Sequence, residues 1–134
     1  MGAEETSNGP IRVVLVDDTV EIRRLLRMTL EFDGRFNVVD EAGDGEAAIK
    51  ATSEKQPDAV ILDLAMPVMD GLQAIPQILE EAPRTKILVL SGFDSGSMSS
   101  EAMARGAHAY VEKGGDLEEL TVKLLDLCSP EKPA

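Results

Sequence analysis

The chain predicts an α/β fold, a five-stranded parallel sheet covered on both faces by five helices. Three observations predict it. Apolar runs of strand length alternate five times with stretches of helical periodicity. The first, third and fourth runs are continuously apolar rather than alternating, which strands covered on both faces require. Four of the five runs end in a group that can bind a metal or a phosphate: Asp17-Asp18, Asp63, Ser91 and Lys113.

The elements follow in order. Residues 1–10 are Gly, Glu, Ser, Asn and Pro among others and read as a flexible tail. Ile11 to Val16 is the first strand. Thr19 to Phe32 is a helix with Ile22, Leu25, Leu26, Thr29 and Leu30 on one face and Arg23, Arg24 and Arg27 mostly outside it; Asp33-Gly34 ends it. Phe36 to Ala42 is the second strand. Gly43-Asp44-Gly45 turns into a short helix from Glu46 to about Lys55, and Pro57 marks its end. Ala59 to Asp63 is the third strand, followed by Pro67 and the pair Asp70-Gly71, which force a loop. The next helix runs from about Gly71 to Glu81; its Pro76 is tolerated in a first turn and kinks a helix further in. Lys86 to Leu90 is the fourth strand. A weak helix covers about Ser97 to Arg105, after Ser and Gly residues of poor propensity, and Gly106 breaks it. His108 to Glu112 is the fifth strand. Leu117 to about Cys128 is the last helix, with Leu117, Leu120, Leu124 and Leu127 at helical spacing; residues 129–134 form a polar tail or the start of a linker.

Composition narrows the function classes. A length of 134 residues suits one domain, 43% apolar content suits a packed core, and only 3% aromatic residues make that core aliphatic. A net charge of −12 argues against direct nucleic-acid contact and against an anionic membrane surface. The single Cys128 forms no disulfide framework or zinc pattern and fits a reducing, cytoplasmic compartment; no membrane span or signal-peptide core is expected. Met1-Gly2-Ala3-Glu4-Glu5-Thr6 fits the loose myristoylation pattern, but acidic residues stand where a second, basic anchor would help. Gly43-Asp44-Gly45 is not a dinucleotide fingerprint. His108, the only His, reads as a surface residue at a strand start.

In a parallel sheet all strand C-termini lie on one edge, and ligands bind there. Singly, a terminal Asp could cap a helix and a terminal Lys could reach for solvent. Together they form a site. Three carboxylates a few ångströms apart repel by roughly 4 kcal/mol per pair at about 4 Å and an effective dielectric near 20. A divalent cation offsets this, and an all-oxygen set suits Mg²⁺. With Lys113 and Ser91 around Asp63, the arrangement suits phosphoryl transfer, with Asp63 as nucleophile forming an acyl phosphate.

From Ile11 to Cys128 the sequence resembles the receiver domain of two-component response regulators. The likeness rests on Asp17-Asp18, the run Asp63-Leu64-Ala65-Met66-Pro67-Val68-Met69-Asp70-Gly71, Ser91-Gly92, and Gly106-Ala107-His108-Ala109-Tyr110-Val111-Glu112-Lys113. It implies a flavodoxin-like, doubly wound sheet in the order 2-1-3-4-5. It further implies that Asp18, Asp63 and the Ala65 carbonyl bind Mg²⁺, with Asp17 acting through a water. Ser91 and Lys113 hold the phosphoryl oxygens, and Tyr110 is a switch that turns inward when Ser91 moves, reshaping the face of helix four, strand five and helix five. The sequence departs from the family pattern in three respects. Gly114 stands where the family often has a cis-bonded Pro, Ser91 replaces the commoner Thr, and small Ala65 and bulky Phe93 flank the pocket with opposite effects on water access.

The expected activity is a Mg²⁺-dependent phosphoryl-accepting switch, phosphorylated on Asp63 by a histidine kinase or phosphotransfer protein and dephosphorylating itself. Two alternatives stand beside it. A Mg²⁺-dependent phosphohydrolase with an Asp nucleophile would carry a second Asp two residues on, where this chain has Ala65. The other is a receiver-fold binding module that works without phosphorylation. The six residues after Cys128 are too few for an output domain. The chain therefore reads as a stand-alone regulator or as the receiver of a longer one, and a phosphorylation-linked homodimer stays open.

Overall fold

The computed structural model describes residues 9–66, 68–92 and 96–128. Residues 1–8 of the expected tail, residues 129–134, and Phe93 beside the expected pocket lie outside the described residues. Five parallel strands, β1 (Ile11–Val16), β2 (Phe36–Ala42), β3 (Ala59–Leu62), β4 (Lys86–Ser91) and β5 (Ala109–Glu112), form one sheet in the order β2-β1-β3-β4-β5. Helices α1 (Val20–Asp33), α2 (Gly45–Lys55), α3 (Gly71–Glu81), α4 (Gly96–Ala104) and α5 (Leu117–Cys128) join them. This is the flavodoxin-like arrangement expected from the sequence.

The continuously apolar strands are explained by two cores. Val14, Val16, Val60, Leu62, Ile87 and Val89 point to one face, where α2, α3 and α4 supply Ala48, Ala74, Ile75, Ile78 and Ala102. Val13, Leu15, Ile61, Leu88 and Leu90 point to the other, where α1 and α5 supply Leu26, Leu30, Leu120 and Leu124. Among the described helices none is long and apolar enough to cross a membrane.

The pairing of β1 with β2 carries a bulge. Val13 pairs with Val38, but Val14 pairs with Asp40, so Val39 is an extra residue. Side chains alternate faces along a strand, and the extra residue inverts that alternation. Phe36 and Val38 therefore pack with α1, whereas Ala42 packs on the α2 side. Glu41, beside Leu15, is turned toward α1.

Several boundaries and environments differ from the sequence reading. Thr19 is the extended N-cap residue of α1 rather than part of it. β3 stops at Leu62, β4 reaches Ser91, and α4 lies one residue earlier than expected. Leu25, expected on the buried face of α1, is 48% exposed, whereas Leu26 and Leu30 are buried and Ile22 packs beside them. Pro76 sits in the second turn of α3 without ending it. Its missing N–H leaves the Leu72 carbonyl free, and Arg105 Nη1 donates to that oxygen at 3.2 Å. Arg105 is itself held by Glu101 at 2.8 Å.

His108 is half-buried, not a plain surface residue, and it precedes β5. Its Nδ1 accepts the Ile87 N–H at 3.0 Å, so the ring completes the ladder at the start of β4. Burial, and then the nearby Lys86 charge, lower its pKa below the ordinary value. The unfolded chain therefore takes up a proton before the folded one does. The stabilising bond is fully present above about pH 6.5 and is lost as pH falls from there through the folded pKa. Urea unfolding of the parent and of His108→Asn, compared at about pH 7.5 and about pH 5.5, is expected to show the parent losing stability relative to the variant at the lower pH.

Gly71 makes a different demand. Its N–H donates to the Leu64 carbonyl at 2.9 Å, and a Cβ there would collide with the Asp63 carbonyl oxygen. Gly71→Ala is expected to lower the urea unfolding free energy by about 1–3 kcal/mol, as overpacking does.

Candidate functional site

The parallel ladder brings the polar strand ends together. Val16 and Leu62 are paired neighbours, and Asp17 and Asp63 follow them directly. Asp63 N–H donates to the Val16 carbonyl at 2.9 Å, and Asp17 N–H to that of Ala42 at 3.0 Å. On the other side of β3, Lys113 N–H donates to the Ser91 carbonyl at 2.7 Å. Asp17, Asp18 and Asp63 each place a carboxylate oxygen within 4.8 Å of the others'. Asp17 and Asp63 are buried, and Asp18 is exposed.

Lys113 answers this charge. Its Nζ lies 2.8 Å from Asp17 Oδ2 and 3.4 Å from Asp63 Oδ2, and its stem runs along Gly92. Burial by itself would lower the lysine's pKa, but the two carboxylates outweigh it and hold the ammonium above its usual value. Asp63 moves upward, first because it is buried and then because Asp17 is close; Lys113 and the Ala65 N–H, 3.2 Å from Oδ1, oppose the shift only in part. Asp17 Oδ1 accepts the Thr19 N–H at 2.9 Å. Asp17 Oδ2 is buried, and the partner it meets is the Lys113 ammonium, at 2.8 Å. Three carboxylates within 4.8 Å of one another, faced by a single ammonium, are an all-oxygen donor set that fits a hard divalent cation.

The surrounding loops are fixed. Asp70 caps α3, accepting Gln73 N–H at 2.9 Å, while Gln73 Oε1 accepts the Asp70 N–H at 3.3 Å. Gly45 N–H donates to the Met69 carbonyl at 3.0 Å, tying this loop to the start of α2. No peptide bond between described residues is cis, so Lys113–Gly114 is trans; Gly114, at φ +82°, makes the turn with a conformation open to glycine.

Of the sequence-predicted residues, Asp17, Asp18, Asp63 and Lys113 converge directly. Ser91 is buried at the end of β4 beside them, and Ala65 is exposed in the loop, two residues after Asp63. Tyr110 is half-buried on β5, paired with Val89 and packed toward the α2–α3–α4 core. Sequence reasoning missed Arg23 and Glu41, which join α1 to the rear of the site. It also missed the Asp70–Gln73 capping box, although its Asp-x-x-Gln spacing is a legible signal.

The model of the response regulator receiver domain matches residues 13–125. A protein-glutamate methylesterase/protein-glutamine glutaminase of Azospirillum brasilense is 40% identical over 113 residues, which is 83% of this chain and 29% of that protein. The chain thus spans less than a third of that relative's length. The signal receiver domain of the response regulator NarL from Mycobacterium tuberculosis superposes with a TM-score of 0.86 at 31% identity, covering 92% of this chain and 99% of that one. A chain of the CheX–CheY–BeF3–Mg²⁺ complex from Borrelia burgdorferi gives 0.84 at 25% identity, covering 92% of each.

The upward shift of Asp63 has a sign. Between the ordinary carboxylate pKa and the raised one, the folded chain keeps a proton that the unfolded chain has lost, so stability falls as pH rises through that window. At neutral pH the ionised Asp63 therefore costs stability. Asp63→Asn is expected to melt a few degrees higher than the parent without divalent cations, the gap closing as pH falls to about 4.

Proposed function

This chain belongs to the response regulator receiver domain family, and from that we propose that it is a signalling switch whose Asp63 accepts a phosphoryl group from a partner's phosphohistidine. Phosphorylation of an aspartate is the general mechanism of the family. The observation that carries the reading is the Lys113 ammonium set between Asp17 and Asp63, with Asp18 close by, at the C-terminal edge of the sheet.

Mg²⁺ would be held by Asp18, Asp63 and the Ala65 carbonyl, with Asp17 acting through a water; the cluster of three carboxylates supports this. When bound, it neutralises the charge on the transferring phosphoryl oxygens. An Asp63 carboxylate oxygen attacks phosphorus in line; the O–P bond forms, the N–P bond breaks, and its electron pair returns to the donor imidazole. Lys113 and the Ser91 hydroxyl take the phosphoryl oxygens, and water later attacks phosphorus to release inorganic phosphate. Tyr110 turns inward as Ser91 moves and changes the α4–β5–α5 face, which a downstream target, an output domain or a second copy reads.

The chain acts as a phosphoacceptor and not as a phosphohydrolase of external esters, since Ala65 stands two residues after Asp63 where such an enzyme carries its second Asp. Its donor is a histidine kinase or phosphotransfer protein. Its lone cysteine and acidic surface suit the cytoplasm, away from nucleic acid and membrane.

Intact mass after incubation with Mg²⁺ and acetyl phosphate tests this. The parent is expected to gain one phosphoryl group, lost with a chelator and absent in Asp63→Asn. A gain that survives in Asp63→Asn would move the acceptor elsewhere, and rapid Mg²⁺-dependent turnover of a phosphate monoester such as p-nitrophenyl phosphate would make the chain a hydrolase.

A further inference from the structure

We propose that Arg23 is a positioning residue for the acidic site: its guanidinium fixes the peptide unit between Asp17 and Asp18 and so aims both carboxylates at the cation. The proposal rests on the metal reading given above. Arg23 Nη1 donates to the Asp17 carbonyl oxygen at 2.5 Å, while Nε donates to Glu41 Oε1 at 2.9 Å. Glu41 is gripped from its other oxygen by Arg27 Nε at 2.7 Å, and Arg27 also reaches Glu31 at 3.1 Å. The Arg23 side chain is 18% exposed and lies against Gly43. It is thus a braced fork, not a surface charge.

The carbonyl it holds is the one the sheet abandons. The Asp17 N–H makes the last ladder bond, to Ala42, after which the chain turns away through Thr19 into α1. A buried carbonyl left without a donor is costly, and the fork supplies one. Because a peptide unit is planar, fixing its oxygen fixes the directions in which the flanking Cα atoms present the Asp17 and Asp18 side chains. Three carboxylates within 4.8 Å push apart, and rotation of this peptide is one backbone motion by which they could part. The fork blocks that rotation. The bulge at Val39 is what turns Glu41 to the α1 face where it can brace the fork.

Mg²⁺ titration of the folded chain, followed by backbone amide NMR shifts, tests this on the parent, Arg23→Ala, Arg23→Lys and Glu41→Gln. Loss of a residue that orients metal ligands is expected to weaken Mg²⁺ binding by about tenfold in Arg23→Ala. Arg23→Lys keeps the charge but replaces the rigid planar fork, whose two nitrogens hold two acceptors, by a single flexible ammonium, and it is expected to weaken binding as well, as is Glu41→Gln. The sign is diagnostic. Were charge alone at work, removing a cation near the site would tighten Mg²⁺ binding. Were the role merely structural, the melting temperature would fall with the affinity of the folded protein unchanged. Affinity unchanged or tighter in Arg23→Ala overturns the proposal; if that variant does not fold, Arg23→Lys and Glu41→Gln decide by the same criterion. A parent that binds no Mg²⁺ overturns the metal reading and this role with it, whereas a parent that binds, with variants that match it, overturns this role alone.

Discussion

Like charge held close is the constraint on which the rest of the structure depends. Asp17, Asp18 and Asp63 bring three carboxylate oxygens within 4.8 Å, and the protein supplies one ammonium, Lys113, against them. One positive group cannot neutralise three negative ones, and the pKa of Asp63 is raised, first by its burial and then by the nearby Asp17 charge. The site is therefore a local source of instability which the two cores on either side of the sheet must overcome. Fully buried Leu15, Ile61, Leu62 and Leu88 lie on the strands that end at this edge, in the two cores. The repulsion is useful for the same reason that it is costly: a cation or a phosphoryl group with its counterion finds a place already charged.

Holding such a cluster requires a backbone that does not yield, and the local geometry is built to that end. The Asp63 loop is fastened at Gly71 against Leu64, at Met69 against Gly45 and at Asp70 through its capping box. Gly71 has no room for a side chain because the Asp63 carbonyl is too close. The rear of the site is fastened by the Arg23 fork. Rigid placement and tight contact are two descriptions of one property, since each fastening also removes freedom that the carboxylates would use to separate.

Much of this was legible in the sequence. The five alternations, the apolar strands and the polar groups at their ends place Asp17, Asp18, Asp63, Ser91 and Lys113 on one edge, because a parallel sheet has only one such edge. What escaped was whatever depended on a single residue of register or on the identity of a distant partner. Leu25 falls on the apolar face of a helical wheel, yet it is Ile22, Leu26 and Leu30 that pack into the core while Leu25 stays exposed. His108 looks like a surface residue until Ile87 is placed beside it. Pro76 should disturb α3, and its orphaned carbonyl is met by Arg105, which lies 33 residues from Leu72. Arg23 and Glu41 carry no local signal, since 18 residues and a strand irregularity separate them.

That irregularity divides β2 into two halves that obey opposite rules. Upstream of Val39, even-numbered positions face α1 and α5; downstream, odd-numbered positions do. Removing one residue there would not shorten the strand harmlessly, as it would in a loop. It would turn the last three residues over, carrying Glu41 away from Arg23 and pushing Ala42 out of its core. Length variation in the second strand is thus coupled to the acid cluster at the end of the first, although no residue of that strand contributes a carboxylate to it.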